Sequence, residues 1–296
     1  QNKLGICYEK GKGVEKDMSQ ATKWYQKATE QSYARAQNKL GICYEKGKGV
    51  EKDMAKAVEW YQKAAKQGHA RAQNNLGICY EKGKGVEKDM TKAAEWIRKS
   101  AEQGYAIAQN NLGICYENGE GVEKDMAKAV EWIRKSAAQG YAGAQNNLGW
   151  CYESGEGVAK NMSKAVEQYR KAAEQGNAQA QNRLGLCYEY GKGVEKDIFK
   201  AVEWYRKSAA QGYANAQYNL CLCYGNGEGV KKDMSKAVEW CRKAAAQGTP
   251  QAQSSLGTCY EFGTGVEKDL TKAVEWYRKA AAQGDADARK RLAKLI

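Results

Sequence analysis

The chain repeats itself every 36 residues, and that period constrains its fold more than any other feature. The stretch from Leu40 to Met54 returns barely altered, its leucine recurring at Leu4, Leu40, Leu76, Leu112, Leu148, Leu184, Leu220, Leu256 and Leu292. A fixed period of this size marks a repeat array, in which each copy buries its apolar face only against its neighbours. Two independent globular domains would fit the length but not the unbroken period. The expected organisation is therefore one array, with copies over 1–34, 35–70, 71–106, 107–142, 143–178, 179–214, 215–250 and 251–285, then a terminal helix over 286–296.

Within residues 35–70, small or apolar residues at Ala36, Leu40, Cys43 and Tyr44 follow helical spacing and define helix A, over 36–46. Gly41, beside that stripe, points to a close approach of another backbone, and Gly47 stands where a left-handed residue ends a helix. Gly49 keeps the turn flexible and Val50 plugs it. Asp53 is a good N-cap for helix B, with Lys56 in place of the acid that would complete a capping box. Helix B is expected from Met54 to about Lys66, with Met54, Ala57, Val58, Tyr61, Ala64 and Ala65 as its apolar stripe. Trp60 is expected to cover the junction with the next repeat. Glu59 and Lys63 form an exposed pair, repeated as Glu95–Lys99, Glu131–Lys135, Glu167–Lys171, Glu203–Lys207, Glu239–Lys243 and Glu275–Lys279. A single proline, Pro250, and an excess of Ala, Lys, Glu, Gln and Leu over Val, Ile and Phe agree with an all-helical reading.

These motifs resemble the Sel1-like repeat family, relatives of tetratricopeptide repeats. The resemblance rests on Ala36, Leu40, Gly41 and Tyr44, then Gly47, Gly49, Val50 and Asp53, then Ala57, Trp60, Tyr61, Lys63, Ala64, Ala65 and Gly68. It covers the whole chain in eight copies. It implies an all-α, right-handed α-α superhelical solenoid of antiparallel helix pairs whose A helices line the concave side, and a role in protein–protein scaffolding. One branch of that family staples its helices with disulfides at positions that here carry Ala65 and Gln73, so that trait does not transfer.

Of ten cysteines, eight (Cys7, Cys43, Cys79, Cys115, Cys151, Cys187, Cys223 and Cys259) share one repeat position. Equivalent residues of packed helices lie roughly 8–10 Å apart, beyond the ~7 Å Cα separation that a disulfide tolerates. They are expected to be buried apolar residues, free thiols of a reducing, cytoplasmic setting. No histidine or second cysteine recurs beside them, so no metal site is expected. In copy seven Cys221 replaces the helix A glycine and Cys241 the helix B tyrosine. Cys223 and Cys241 both point inward, a local bridge that a reducing setting disfavours. In copy five Trp150 appears in helix A while Gln168 replaces the helix B tryptophan, either compensating volume or anchoring a ligand. Ser32 stands for the closing glycine of copy one with little consequence expected, and the lone histidine, His69, takes a tyrosine position in the turn before helix A as packing.

No catalytic constellation emerges. Gly-Lys-Gly lacks the P-loop spacing and follows a helix, and one histidine rules out a nucleophile–histidine array. Glu45, Asp53 and their equivalents form ladders with no unique pair for acid–base work. The chain reads as no enzyme and needs no cofactor. No run of 18 apolar residues spans a membrane, and no leader pattern opens the chain, which begins at Gln1 inside a repeat and reads as a piece of something longer. The net charge of +13 is spread over Lys10, Lys12, Lys16, Lys27 and their equivalents, a solvated surface that makes nucleic acid an unlikely partner.

On a helical wheel the side opposite the helix A stripe carries Asn38, Asn74, Asn110, Asn146 and Asn182, then Tyr218, beside Ile42, Ile78, Ile114, Trp150 and Leu186. Asparagines can hydrogen-bond an extended peptide backbone while the apolar row takes its side chains. The competing expectation is that both rows tie neighbouring A helices together. The resulting functional expectation is a non-catalytic scaffold that holds an extended protein segment in the A-helix groove. Alternatives are end-to-end self-association through a bare, apolar N-terminal face, and a basic nucleic-acid-binding scaffold.

Overall fold

A computed structural model describes all 296 residues and contains seventeen helices and no strand. In chain order they are α1 (Asn2–Lys10), α2 (Met18–Thr29), α3 (Ala34–Lys46), α4 (Met54–Lys66), α5 (Ala70–Lys82), α6 (Met90–Glu102), α7 (Ala106–Asn118), α8 (Met126–Ala138) and α9 (Ala142–Ser154). They continue as α10 (Met162–Glu174), α11 (Ala178–Tyr190), α12 (Ile198–Ala210), α13 (Ala214–Asn226), α14 (Met234–Ala246), α15 (Pro250–Phe262), α16 (Leu270–Ala282) and α17 (Ala286–Leu295). Odd-numbered helices are A helices and even-numbered ones B helices. The helices belong to two compact units, Gln1–Leu148 with Glu156–Val158, and Gly149–Gly155 with Ala159–Ile296. Inside each unit an A helix packs on the B helix that follows it and on the B helix before it.

The turn chemistry sets this pairing. Gly47 adopts φ 62°, and its N–H together with that of Lys48 donates to the Cys43 carbonyl, closing helix α3. Gly49 does more than loosen the turn. A Cβ there would lie 2.1 Å from the Met18 carbonyl oxygen, so the missing side chain is what lets the turn abut the preceding B helix. Asp53 then starts α4, its Oδ1 accepting from the Lys56 N–H at 3.0 Å. Lys56 folds its ammonium back to the same carboxylate at 3.3 Å, an exposed contact of small value. The cap bond and the lysine hold Asp53 below the usual carboxylate range.

The glycine of helix A is half of a joint with helix B. A Cβ on Gly41 would sit 2.6 Å from the Tyr61 ring and 3.1 Å from the Ala57 carbonyl oxygen. Tyr61 is fully buried, and its hydroxyl donates to Glu45 at 2.5 Å. The trio recurs as Gly5–Tyr25–Glu9, Gly149–Tyr169–Glu153, Gly185–Tyr205–Glu189 and Gly257–Tyr277–Glu261. In copies three and four, Ile97 and Ile133 fill the tyrosine's place against Gly77 and Gly113. All ten cysteines are free, and burial pushes the Cys79 and Cys115 thiols up to about 11.

Three local expectations change. Trp60 packs against Ala21, Tyr25, Leu40 and Cys43, covering the junction with the preceding repeat rather than the next. Side chains of a helix lean toward its N-terminus, which shifts the area they cover. The glutamate–lysine pairs close as ion pairs in copies three to five, at 2.7, 2.6 and 2.7 Å. Lys63, Lys207, Lys243 and Lys279 instead sit 4.1 Å over the ring of the tryptophan three residues earlier. Ser32 carries φ 55°, the only non-glycine residue in the left-handed region. Its replacement of glycine is therefore strained, not neutral.

Candidate partner-binding face

The face offered by the A helices differs from the one the helical wheel gives. Asn38, Asn74, Asn110, Asn146 and Asn182 are buried, 1–5% exposed, although Asn38 still borders a cleft with Lys39 and His69. An inner A helix such as α3 packs on the B helix before it and the B helix after it, so its buried arc is wider than a single stripe. In α3 that arc takes in Ala36, Gln37, Asn38, Leu40, Gly41 and Cys43. The asparagines bind one copy to the next: Asn75 donates to Asn38 at 3.2 Å, Asn111 to Asn74 at 3.0 Å, Asn147 to Asn110 at 3.0 Å and Asn219 to Asn182 at 2.9 Å. The Tyr218 hydroxyl lies 3.4 Å from Ser255 Oγ in the equivalent place. This ladder is the tie between repeats, and each bond protects a buried polar group that would be costly alone.

The position after each ladder residue is the one that reaches the surface. In three A helices it holds a cation that crosses to the acid of the preceding A helix. Lys39 pairs with Glu9 at 2.8 Å, Arg183 with Glu153 at 3.1 Å and Arg291 with Glu261 at 3.0 Å. Sequence reasoning missed this row, although an unbroken polar position beside the asparagines was its signal. It also missed a buried glutamine ladder. Gln73 donates to the Ala65 carbonyl of the previous B helix at 3.2 Å and accepts from Gln103 at 2.7 Å. The same relay runs through Gln109 and Gln139, through Gln181 and Gln211, and through Gln253 and Gln283.

The apolar row stands between wall and surface. In the first unit Ile42, Ile78 and Ile114 are half-buried, Ile42 against the cluster of Ala57, Tyr61 and Leu76. In the second, Trp150 and Leu186 are half-buried, Leu186 against Ala201, Tyr205 and Leu220, while Leu222 is exposed. Tyr190 and Phe262, where copies one to three have lysines, stand out into solvent.

Clefts lie along this face in each unit. One of about 170 Å³ is lined by Ile78, Glu81, Asn111 and Ile114. Another of about 490 Å³ holds Lys10, Arg35, Lys39, His69, Arg71 and Tyr105. In the second unit, about 580 Å³ is enclosed among Ser254, Thr258, Phe262, Lys290, Arg291 and Lys294. His69 is more than packing: its Nδ1 accepts from the Ala72 N–H at 3.2 Å and caps α5. No three His, Cys, Asp or Glu side chains gather as a metal would require, and no helix is long and apolar enough to cross a membrane.

The Sel1 repeat family model matches residues 1–33, 34–69, 70–105, 106–141, 142–177, 178–213, 214–249 and 250–285. Among solved structures, a protective antigen of uropathogenic Escherichia coli with an SLR fold is 40% identical at a TM-score of 0.79, covering 98% of this chain. The chain spans 62% of that protein's length. A Sel1 repeat protein from Oxalobacter formigenes is 35% identical at a TM-score of 0.74, over 94% of this chain and 80% of its own. The APC/C hetero-tetramer Cut9–Hcn1 shares the fold alone, at 13% identity and a TM-score of 0.60, over 99% of this chain and 55% of that one. No curated protein matches by sequence.

Proposed function

The chain belongs to the Sel1 repeat family, and from that premise we propose that it is a non-catalytic scaffold whose units hold extended segments of a protein partner along their A-helix faces. The observation that carries this reading is the apolar residue that copies two to seven leave at least partly exposed there, Ile42, Ile78 and Ile114 in one unit and Trp150, Leu186 and Leu222 in the other. Such a row at one-repeat spacing can take spaced apolar side chains of an extended peptide. Its neighbours vary from copy to copy, Lys46 and Lys82 giving way to Tyr190 and Phe262. The asparagine ladder is left out of this reading, because its side chains are buried and Asn38, Asn74, Asn110 and Asn182 accept hydrogen bonds from the next copy.

Random linear peptides displayed on phage test the proposal. Selection on the intact chain is expected to enrich sequences with spaced apolar residues. The variant carrying Ile78→Ser and Ile114→Ser, with its helical circular dichroism unchanged, is expected to lose binders seated on the first unit. Equal capture by parent and variant, repeated with Leu186→Ser and Leu222→Ser for the second unit, would overturn it.

A further inference from the structure

The joint in copy seven is built from sulfur. Where other copies set a glycine against a tyrosine or isoleucine, this one has Cys221 against Cys241, and Gly225 stands where the tyrosine's glutamate would be. Both cysteines are buried in one cluster with Val238, Ala244 and Leu256. Cys223, the partner expected from the sequence, lies in a different cluster with Ala201, Tyr205 and Leu220. The reason is the register of helix A: the glycine position, not the recurring cysteine position, aims at the B-helix residue. Cys221 and Cys241 face the same buried cluster, and the Cys241 thiol donates to the Ala252 carbonyl at 3.2 Å.

The sister copies give the spacing. A Cβ on Gly185 would lie 2.6 Å from Cδ1 of Tyr205, a ring atom two bonds from that tyrosine's Cβ. Two Cβ atoms so placed fall near the ~3.5–4.5 Å separation of a disulfide. Cys259, one of the eight at the shared position, packs at the edge of the same cluster and is the competing partner that a mapped link must exclude.

We propose that Cys221 and Cys241 are an oxidisable pair that forms a disulfide between α13 and α14, replacing with a covalent tie the tyrosine–glutamate bond that copy seven lacks. With a small-molecule disulfide such as glutathione disulfide as oxidant, the Cys221 thiolate, the less enclosed of the two, attacks one sulfur and releases one glutathione. Cys241, losing its proton, then attacks the Cys221 sulfur of the mixed disulfide and releases the second. One S–S bond forms in the protein, two thiol hydrogens leave, and the oxidant is reduced to two thiols. Because Cys241 is fully enclosed, exchange proceeds through local opening of the α13–α14 joint.

The test equilibrates the full chain with glutathione disulfide, blocks remaining thiols and maps tryptic peptides without reduction. The expected product joins peptide 208–231 to peptide 237–242, survives in Cys223→Ala, and is absent from Cys241→Ser. Closing a loop of this length is expected to raise Tm by about 5–10 °C, reversed by dithiothreitol. The double variant Cys221→Gly with Cys241→Tyr, which restores the joint of the other copies, is expected to fold and show no redox-dependent shift. Persistent alkylation of Cys241 after oxidation, a link mapped to Cys223 or Cys259, or an equal Tm shift in the double variant would each overturn the proposal.

Discussion

Copies three and four, in the first unit, and copy seven, in the second, have all abandoned the tyrosine of the A–B joint, but they have done so differently. Copies three and four keep the glycine and the glutamate, and fill the gap with Ile97 and Ile133. Glu81 and Glu117 are left half-buried with no phenol to donate to them. Burial, with Glu156 nearby, holds Glu117 above the usual carboxylate range against the pull of Lys124. Copy seven changes all three members together. The joint thus has two separable parts: a shape match between a bare backbone and a bulky side chain, and a hydrogen bond from that side chain to the acid. Losing the bond alone strands a carboxylate. Losing the tyrosine and the acid together strands nothing.

The largest effect comes from emptying the joint where it is complete. Tyr205→Ala removes a fully buried ring and leaves Glu189 without its donor, and is expected to cost about 3–5 kcal/mol in urea denaturation. Cys241→Ala removes only a thiol from a site without an acid, and should cost about 1 kcal/mol. Equal costs would show that the tyrosine joint is not what holds A to B. In the other direction, Ile133→Tyr rebuilds the trio around Gly113 and Glu117, with an expected gain of about 1 kcal/mol at neutral pH. A raised carboxyl value favours folding while the group is protonated, and that contribution is lost as pH rises through the folded value. The gain from Ile133→Tyr should therefore shrink below the usual 4.5, where the carboxyl is protonated in folded and unfolded chains alike. Chemical denaturation at several pH values reads both.

The same comparison of complete and departed copies applies to the turn after helix B. Every other copy ends helix B with a glycine at positive φ, from 83° at Gly68 to 95° at Gly284, with open space where a Cβ would stand. Ser32 keeps that conformation with a side chain attached. Ser32→Gly relieves the left-handed strain at the cost of some unfolded-state freedom, and is expected to stabilise the first unit by about 0.5–1 kcal/mol. No change in Tm would mean that the α2–α3 turn already yields in solution.

What the sequence revealed and what it hid divide along one physical line. Helix limits, caps and the burial of Leu40, Tyr61 and Cys43 follow from local rules acting within one copy. The placing of Asn38, Cys241 and Trp60 depends on how copies meet, and a wheel drawn for one helix does not contain its neighbours. Asn38 looked outward because the wheel allowed one buried stripe, whereas packing on both sides buries most of the helix. Cys241 pairs with the glycine position for the same reason. The Gly–Tyr–Glu trio was present in the repeat, but nothing in spacing alone links Gly41 to Tyr61 across a turn.

His69 gives the smallest and most specific test. Its imidazole caps α5 only when neutral, since Nδ1 must accept the Ala72 N–H. Burial, reinforced by Arg71, holds it below its usual 6.5, so the stability it contributes is present above that value and lost as pH falls through the folded one. Copy six does the same work with a group that does not titrate, Asn177 accepting from the Ala180 N–H at 2.8 Å. His69→Asn should leave stability at pH 7 almost unchanged and abolish a loss of about 0.5–1 kcal/mol that the parent shows between pH 7 and pH 5. The caps Asp53, Asp89 and Asp125 stay ionised over that window, their carboxyls being held below the usual range by their own cap bonds and lysines. A pH dependence that survives in His69→Asn would move the titrating group elsewhere.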